Sequence, residues 1–259
     1  MGKWKKWLSA GLFTAMLGTA IIAGPTADVS ANAGNKPYNS ENVSPDAHLA
    51  PSVGDSSSKT SSKAWHKIDG VCYNGSGKKV EGAITRGMDV SEWQGKINWK
   101  EAKKDLDFAF VRISYGTRHL DDYYDYNMTE AEAADVPVGT YVYSLAKTNK
   151  EALAEAQLAI RQMQGHKVSY PVAFDLEDEA TLGTLTRKEI SQIALTFCDE
   201  IRKAGYTPIL YMNLNWYNNF VDWNVLEGSG LDVWIASYGD TILAPSASKY
   251  KYTIWQCTA

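Results

Sequence analysis

A chain of 259 residues, 44% hydrophobic and 12% aromatic, can bury a sizeable core as one large or two small domains, which excludes a disordered or fibrous protein. Its formal net charge of −4 makes it a poor candidate for binding nucleic acid or an anionic membrane surface. Three cysteines, Cys72, Cys198 and Cys257, are too few and too scattered for a disulfide framework and leave any pairing of Cys72 with Cys257 open. The four histidines form no metal-ligand spacing, so neither a metal nor a cofactor is expected.

In chain order, the first element is a leader. Lys3, Lys5 and Lys6 precede an apolar stretch from Leu8 to Ala23, and "SANA" at 30–33 supplies a small-residue cleavage site. That order reads as a secretory signal over 1–33; a membrane anchor is the alternative, but the apolar run is short for a span. Residues 34–64, rich in Ser, Pro, Asn and Gly, read as a disordered linker. Residues 65–82 form a lead-in to the large folded region that begins at residue 83. Trp65, Gly70, Tyr73, Gly77 and Gly82 resemble one unit of an aromatic/Gly repeat, and a single unit cannot bury its own face.

From residue 83 onward, apolar runs alternate with amphipathic ones. Strands are predicted at 83–91, 107–114, 137–144, 170–177, 207–213, 232–238 and 252–258. Helices between them are announced by Asn98 with Glu101, Thr148 with Glu151 and Thr186 with Glu189, and stopped by Gly165 and Gly205. In the third helix Ile190, Ile193, Ala194, Phe197, Cys198 and Ile201 keep helical spacing and form one buried face. Strand, helix, strand in repetition predicts a parallel sheet, closed or nearly closed into a β/α barrel. An open doubly wound sheet is the alternative, without the GxGxxG turn of its nucleotide-binding form.

The stretch "YPVAFDLEDEA" at 170–180 carries the chemistry. Alternate residues of a strand share a face, so Val172, Phe174 and Leu176 pack under helices while Ala173, Asp175 and Glu177 turn toward the barrel axis. Carboxylates are too costly to bury unpaired, which places Asp175 and Glu177 at the carboxyl-end rim, joined there by Asp89 from the first strand. Asp178 and Glu179, past the strand, read as the cap of the next helix or as solvated surface. Arg112, inside an apolar strand, needs an acidic partner and is a candidate to pair with one of the three carboxylates. Tyr141 and Tyr143, Tyr211 and Asn213, and Trp234 and Tyr238 also fall near strand ends, where rings can stack on sugar faces; core packing suits any single aromatic better, while the set clustered at strand ends points toward a carbohydrate.

These residues resemble the glycoside hydrolase family 25 lysozymes, which are N-acetylmuramidases. "GMDVSEWQG", "FVRISYGT", "LDDYYDYN", "PVGTYVYS", "FDLED", "LYMN", "DVWIASY" and "IWQ" follow the family's order over 83–259. The resemblance implies an irregular TIM-like β/α barrel that cleaves the β-1,4 bond between N-acetylmuramic acid and N-acetylglucosamine in peptidoglycan. It implies Glu177 as general acid, Asp175 as its partner carboxylate and Asp89 as a further active-site aspartate. Asp121, Asn127, Tyr143, Tyr211, Trp234 and Gln256 match other motif positions, and Arg112, Asp121 and Gln256 join the strand-end aromatics as substrate-binding candidates. The expected partner is a peptidoglycan glycan strand, met outside the cell or at the wall by a monomer with no stable membrane association once the leader is removed.

One departure stands out. The family's chain usually continues after "IWQ" to a last strand bearing another active-site aspartate, so the barrel over 83–259 is expected to be incomplete at its C-terminus. Two functional classes remain: a secreted muramidase, or a non-catalytic peptidoglycan-binding barrel with an incomplete site. A chitinase-like glycosidase fits less well, because the D-x-E strand end lacks the further upstream Asp of a DxDxE pattern.

Overall fold

A computed structural model of the protein describes residues 15–18, 66–74, 77–238 and 249–257. The expected linker lies outside the described residues, as does most of the expected leader. In chain order the strands are β1 (Ala15–Gly18), β2 (His66–Ile68), β3 (Val71–Tyr73), β4 (Ala83–Val90), β5 (Phe108–Tyr115), β6 (His119–Leu120), β7 (Val138–Tyr143), β8 (Val168–Asp175), β9 (Pro208–Asn213), β10 (Asp232–Ala236) and β11 (Ile254–Gln256). The helices are α1 (Trp99–Ala102), α2 (Tyr124–Ala133), α3 (Asn149–Met163), α4 (Glu179–Leu182), α5 (Arg187–Lys203), α6 (Leu214–Asn219) and α7 (Trp223–Leu226).

All seven strands expected from residue 83 onward form and pair in parallel, β4 with β5, then β7, β8, β9, β10 and β11. Each turns back through helical or loop segments on the outside, which is the irregular TIM-like barrel and not the open doubly wound sheet. The edge expected to stay open after β11 is covered. β1, four residues from the expected leader, runs antiparallel between β11 and β4 and closes the ring.

The expected caps are in place. Asn98, Thr148 and Thr186 each accept a hydrogen bond from the backbone N–H three residues on, and Thr186 with Glu189 completes the reciprocal box. Gly165 and Gly205 both take φ of +90° just beyond α3 and α5, a left-handed conformation that stops a helix cheaply only at glycine. The stripe from Ile190 to Ile201 on α5 is buried against the outer face of the sheet, where Phe197 stacks on Phe174 at 4.1 Å between ring centres.

Inside the ring a separate core holds Phe108, Phe110, Ala173, Ile209, Tyr211, Trp234, Ala236 and Ile254. Ala173 faces this interior whereas Val172, Phe174 and Leu176 join the outer core, so the strand parity read from the sequence holds. The rings need room, and glycine supplies it: Gly87 pairs across from Phe108 and Gly139 from Phe110. The lead-in hairpin β2–β3 does not stand free. Cys72 is buried with Val233, Ile235, Tyr252, Trp255 and Cys257, and Lys67 pairs with Asp107 at 2.8 Å. Although both cysteines are buried in this cluster, no disulfide joins them.

A Cβ at Gly139 would fall 2.6 Å from a Phe110 ring carbon and equally close to the Pro171 backbone oxygen, which cannot rotate away. Gly139→Ala is therefore expected to lower stability by about 1–3 kcal/mol, the usual cost of overpacking. Denaturant unfolding checks it; an unfolding midpoint equal to that of the unaltered chain would mean the interior has slack.

Candidate active site

Neighbouring strands in register carry one level around the mouth: Tyr143 beside Asp175, Asp175 beside Tyr211, and Tyr211 beside Trp234. Asp175 ends β8 and is 5% exposed; Glu177 lies two residues past the strand's end and is half-buried, as is Asp89 near the end of β4. Three acidic side chains thus share one partly dehydrated opening.

Neutral donors hold them. Gln256 Nε2 donates to Asp89 Oδ1 at 2.9 Å, while its Oε1 accepts from the Tyr211 and Tyr238 hydroxyls at 2.8 and 3.1 Å. Asn213 Nδ2 donates to Glu177 Oε2 at 2.8 Å. Asn213 is also the N-cap of α6, its Oδ1 accepting from the Trp216 N–H, and that cap fixes the amide so that only its NH2 faces Glu177. Beneath, Asp89, Tyr141, Asp175, Tyr211 and Trp234 line a cavity of about 70 Å³. Two buried polar atoms of that lining, Asp175 Oδ1 and Trp234 Nε1, have no hydrogen-bond partner among the described residues.

Burial dominates the electrostatics. Loss of water pushes Glu177 up to about 7, against the pull of the hydrogen bond from Asn213. Asp89 is raised to about 6 by burial, partly offset by Gln256. Asp175 is held well above the usual carboxylate range by burial first and by Glu177 and Asp89 next. At neutral pH Glu177 therefore keeps a substantial share of a proton that a free carboxyl would have lost, while Asp89 is mostly ionised.

Arg112 does not join them. Offered as a partner for the strand-end carboxylates, it pairs instead with Asp121 through Nε at 2.9 Å and with Glu92 through Nη2 at 2.8 Å. Asp121, whose side chain is fully buried, also accepts from the Glu92 and Tyr123 backbone N–H groups, and His119 lies 2.8 Å from the other Glu92 oxygen. Arg112 and Asp121 thus brace the turn after β4. Asn127, on α2, accepts from the Trp99 indole inside the outer core, away from the mouth.

Trp234 and Gln256 are almost wholly buried, so they shape the opening from below, and Tyr238 stands half-exposed on the rim. Tyr143 stacks on Tyr115 at 4.7 Å, and both hydroxyls reach Asp178 Oδ2 at 3.2 and 3.4 Å. Asp178, read from sequence as a helix cap or solvated surface, does cap α4 through the Thr181 N–H. Glu92, Tyr115 and Asp178 are the site-building residues the sequence reading missed. All three fall inside quoted motifs, Glu92 in "GMDVSEWQG", Tyr115 in "FVRISYGT" and Asp178 in "FDLED", but nothing in those motifs marks them as parts of the site. Glu155, from α3, accepts from Ser144 Oγ and the Leu145 N–H, and so fixes the turn that follows Tyr143.

Because Asn213 both lowers the Glu177 pKa and caps α6, Asn213→Ala has two expected effects. The Glu177 midpoint rises further above 7 in a carboxyl-resolved NMR titration, and the lost cap costs about 1 kcal/mol in denaturant unfolding. An unmoved midpoint would show that the amide does not govern Glu177.

Three comparisons bear on identity. The chain is 25% identical over 184 residues to Lysozyme M1 of Streptomyces globisporus, an overlap covering 67% of this chain and 62% of that protein, so it spans less than the whole of that relative. The fold matches a family 25 glycosyl hydrolase from Bacillus anthracis with a TM-score of 0.55 at 24% identity, over 66% of this chain and 78% of that one. It also matches the muramidase of Trichobolus zukalii with a TM-score of 0.55 at 20% identity, over 66% and 86% of the two chains. The profile of glycosyl hydrolases family 25 matches residues 88–259, well over half the chain, and the protein belongs to that family.

Proposed function

We propose that this protein is a secreted peptidoglycan hydrolase that cuts the β-1,4 bond between N-acetylmuramic acid and N-acetylglucosamine. The observation that carries the reading is the pair Asp175 and Glu177 at and just past one strand end, dehydrated enough to keep a proton near neutral pH and in direct contact with no cation among the described residues. Membership of family 25 and likeness to a lysozyme support the substrate class.

Glu177 donates its proton to the glycosidic oxygen, so the leaving sugar departs as an alcohol while positive charge builds at the anomeric carbon. The substrate's own acetamido group supplies the attacking oxygen, closing a bond to that carbon. Asp175, whose Oδ1 lies open to the cavity, accepts the acetamido N–H, and the Trp234 indole N–H offers a donor in the same space. Water then opens the cyclic intermediate, giving its proton back to Glu177. Asp89, tethered by Gln256, keeps negative potential at the mouth.

A leader removed near Ala33, a mobile tether over 34–64, action at the wall as a monomer and no lasting membrane association complete the proposal. Cleavage near Ala33 takes β1 with it and leaves the seam between β4 and β11 unfilled. No helix among the described residues is long and apolar enough to cross a membrane.

Glu177→Gln, nearly isosteric but unable to donate the proton, is expected to cut the lysis of purified walls by at least about 100-fold with little change in melting. For the unaltered enzyme, lysis should decline as pH rises past about 7, where Glu177 loses its proton. Reducing-end analysis should find new muramic acid ends. Wall binding without new ends would favour the alternative, a non-catalytic peptidoglycan-binding barrel.

A further inference from the structure

Among the described residues, the exposed aromatic side chains are Trp93, Tyr115 and Tyr238, and all of them stand at the carboxyl ends of barrel strands. Trp93 is the extreme case at 80% exposed. Its position follows β4 by only three residues, on a 3-10 turn spanning Glu92–Gln94. It does not line the enclosed cavity.

The backbone carrying this indole is fixed on both sides. Ser91 and Gln94 form a reciprocal capping box, and the Trp93 N–H itself donates to Ser91 Oγ. The Glu92 N–H donates to Asp121, the Glu92 carboxylate meets Arg112 and His119, and Gly95, at φ +61°, ends the turn with its N–H on the Glu92 carbonyl. Buried charges thus hold a turn whose largest side chain contributes nothing to the core. Such a ring, with two rotatable bonds and a fixed backbone, orders cheaply on binding.

Resting on the glycan-strand reading above, we propose that Trp93 is a stacking platform for a sugar of the bound strand lying outside the cleavage cavity, and so sets a preference for long glycans. An indole face offers apolar area to the C–H face of a pyranose. Charge decides against the acidic groups of a stem peptide as its occupant: Glu92 and Asp178 keep this arc of the rim negative, whereas an amino-sugar ring carrying an N-acetyl group is neutral. Tyr238, two residues past β10, stands on a separate arc, so a strand lying across the mouth finds an aromatic face on either side of the carboxylates.

The test compares Trp93→Ala and Trp93→Phe with the unaltered protein on a peptidoglycan tetrasaccharide and on glycan strands of eight or more sugars. Expected is a KM for the long strand raised about 3- to 10-fold by Trp93→Ala, the range an aromatic contact supplies, a smaller rise for the tetrasaccharide, and partial rescue by Trp93→Phe. Melting should not move, since the side chain packs on nothing. Equal KM changes for both lengths, or a loss confined to kcat, would overturn the proposal.

A second arm separates this idea from the enzymatic reading. In a Glu177→Gln background, calorimetric titration with the long strand should show the same 3- to 10-fold weakening when Trp93→Ala is added. If the unaltered protein cleaves nothing, the muramidase reading fails while this titration still decides the platform. If affinity is the same with and without the indole, Trp93 is not a platform whatever the chemistry.

Discussion

Taking three carboxyl groups out of water at one opening is the constraint around which the rest of this protein is arranged. Asp175, Glu177 and Asp89 are crowded and dehydrated; burial raises the proton affinity of all three, Glu177 and Asp89 raise that of Asp175 further, and Asp89 that of Glu177. A cation set directly against them would relieve the strain and strip the protons. The fold places amides and phenols there, Gln256, Asn213 and Tyr211, while the nearby guanidinium of Arg112 is committed to Asp121 and Glu92. The mouth is thus satisfied in geometry without being neutralised in charge.

The same economy explains the brace under the rim. Arg112 lies in β5, Asp121 directly after β6, and Glu92 and the backbone it caps in the turn after β4. A buried ion pair gains little net stability over a hydrophobic packing of the same shape, but it fixes geometry, because any slip leaves a charge unmatched. Here it locks three separate chain segments to one position beside Asp89. Glu155 serves a similar end on the next arc, holding the Ser144–Leu145 turn from behind, and its own burial pushes it up to about 7.

Much of this is legible in the sequence, for reasons that can be traced. Strand parity puts Asp175 on the inner side because period-two alternation is set locally, and Ala173 in the inner core with Phe174 in the outer one agrees, whereas Glu177, two residues past β8, is met by the Asn213 amide. Helix starts at Asn98, Thr148 and Thr186 are legible because a cap is a contact three residues long. What sequence cannot supply is choice among distant partners. Arg112 needs an acid, and the acid it takes lies nine residues away and not on β8, a matter of how the β5–β6 hairpin folds back. Gln256, matched only as a motif position, proves to be the tie between Asp89 and two tyrosines, one of them 45 residues off in sequence. Asp178 escapes the sequence reading for the same reason, since its partners Tyr115 and Tyr143 come from two other strands.

The seam between β4 and β11 has a kinetic meaning. Every other barrel pairing joins strands that follow one another along the chain with at most a short hairpin between, so each can form as its crossover is laid down. The exception pairs Ala15 with Gln256, nearly the full length of the molecule, and does so antiparallel. Closing a loop of that size costs entropy that nothing local repays, so the seven parallel strands must already stand as an open, curled sheet before the ring shuts. In the uncleaved chain the closing strand is therefore a latch on a finished scaffold: its place is filled last, and it can leave, as it does in the proposed cleavage of the leader, without rethreading any other strand.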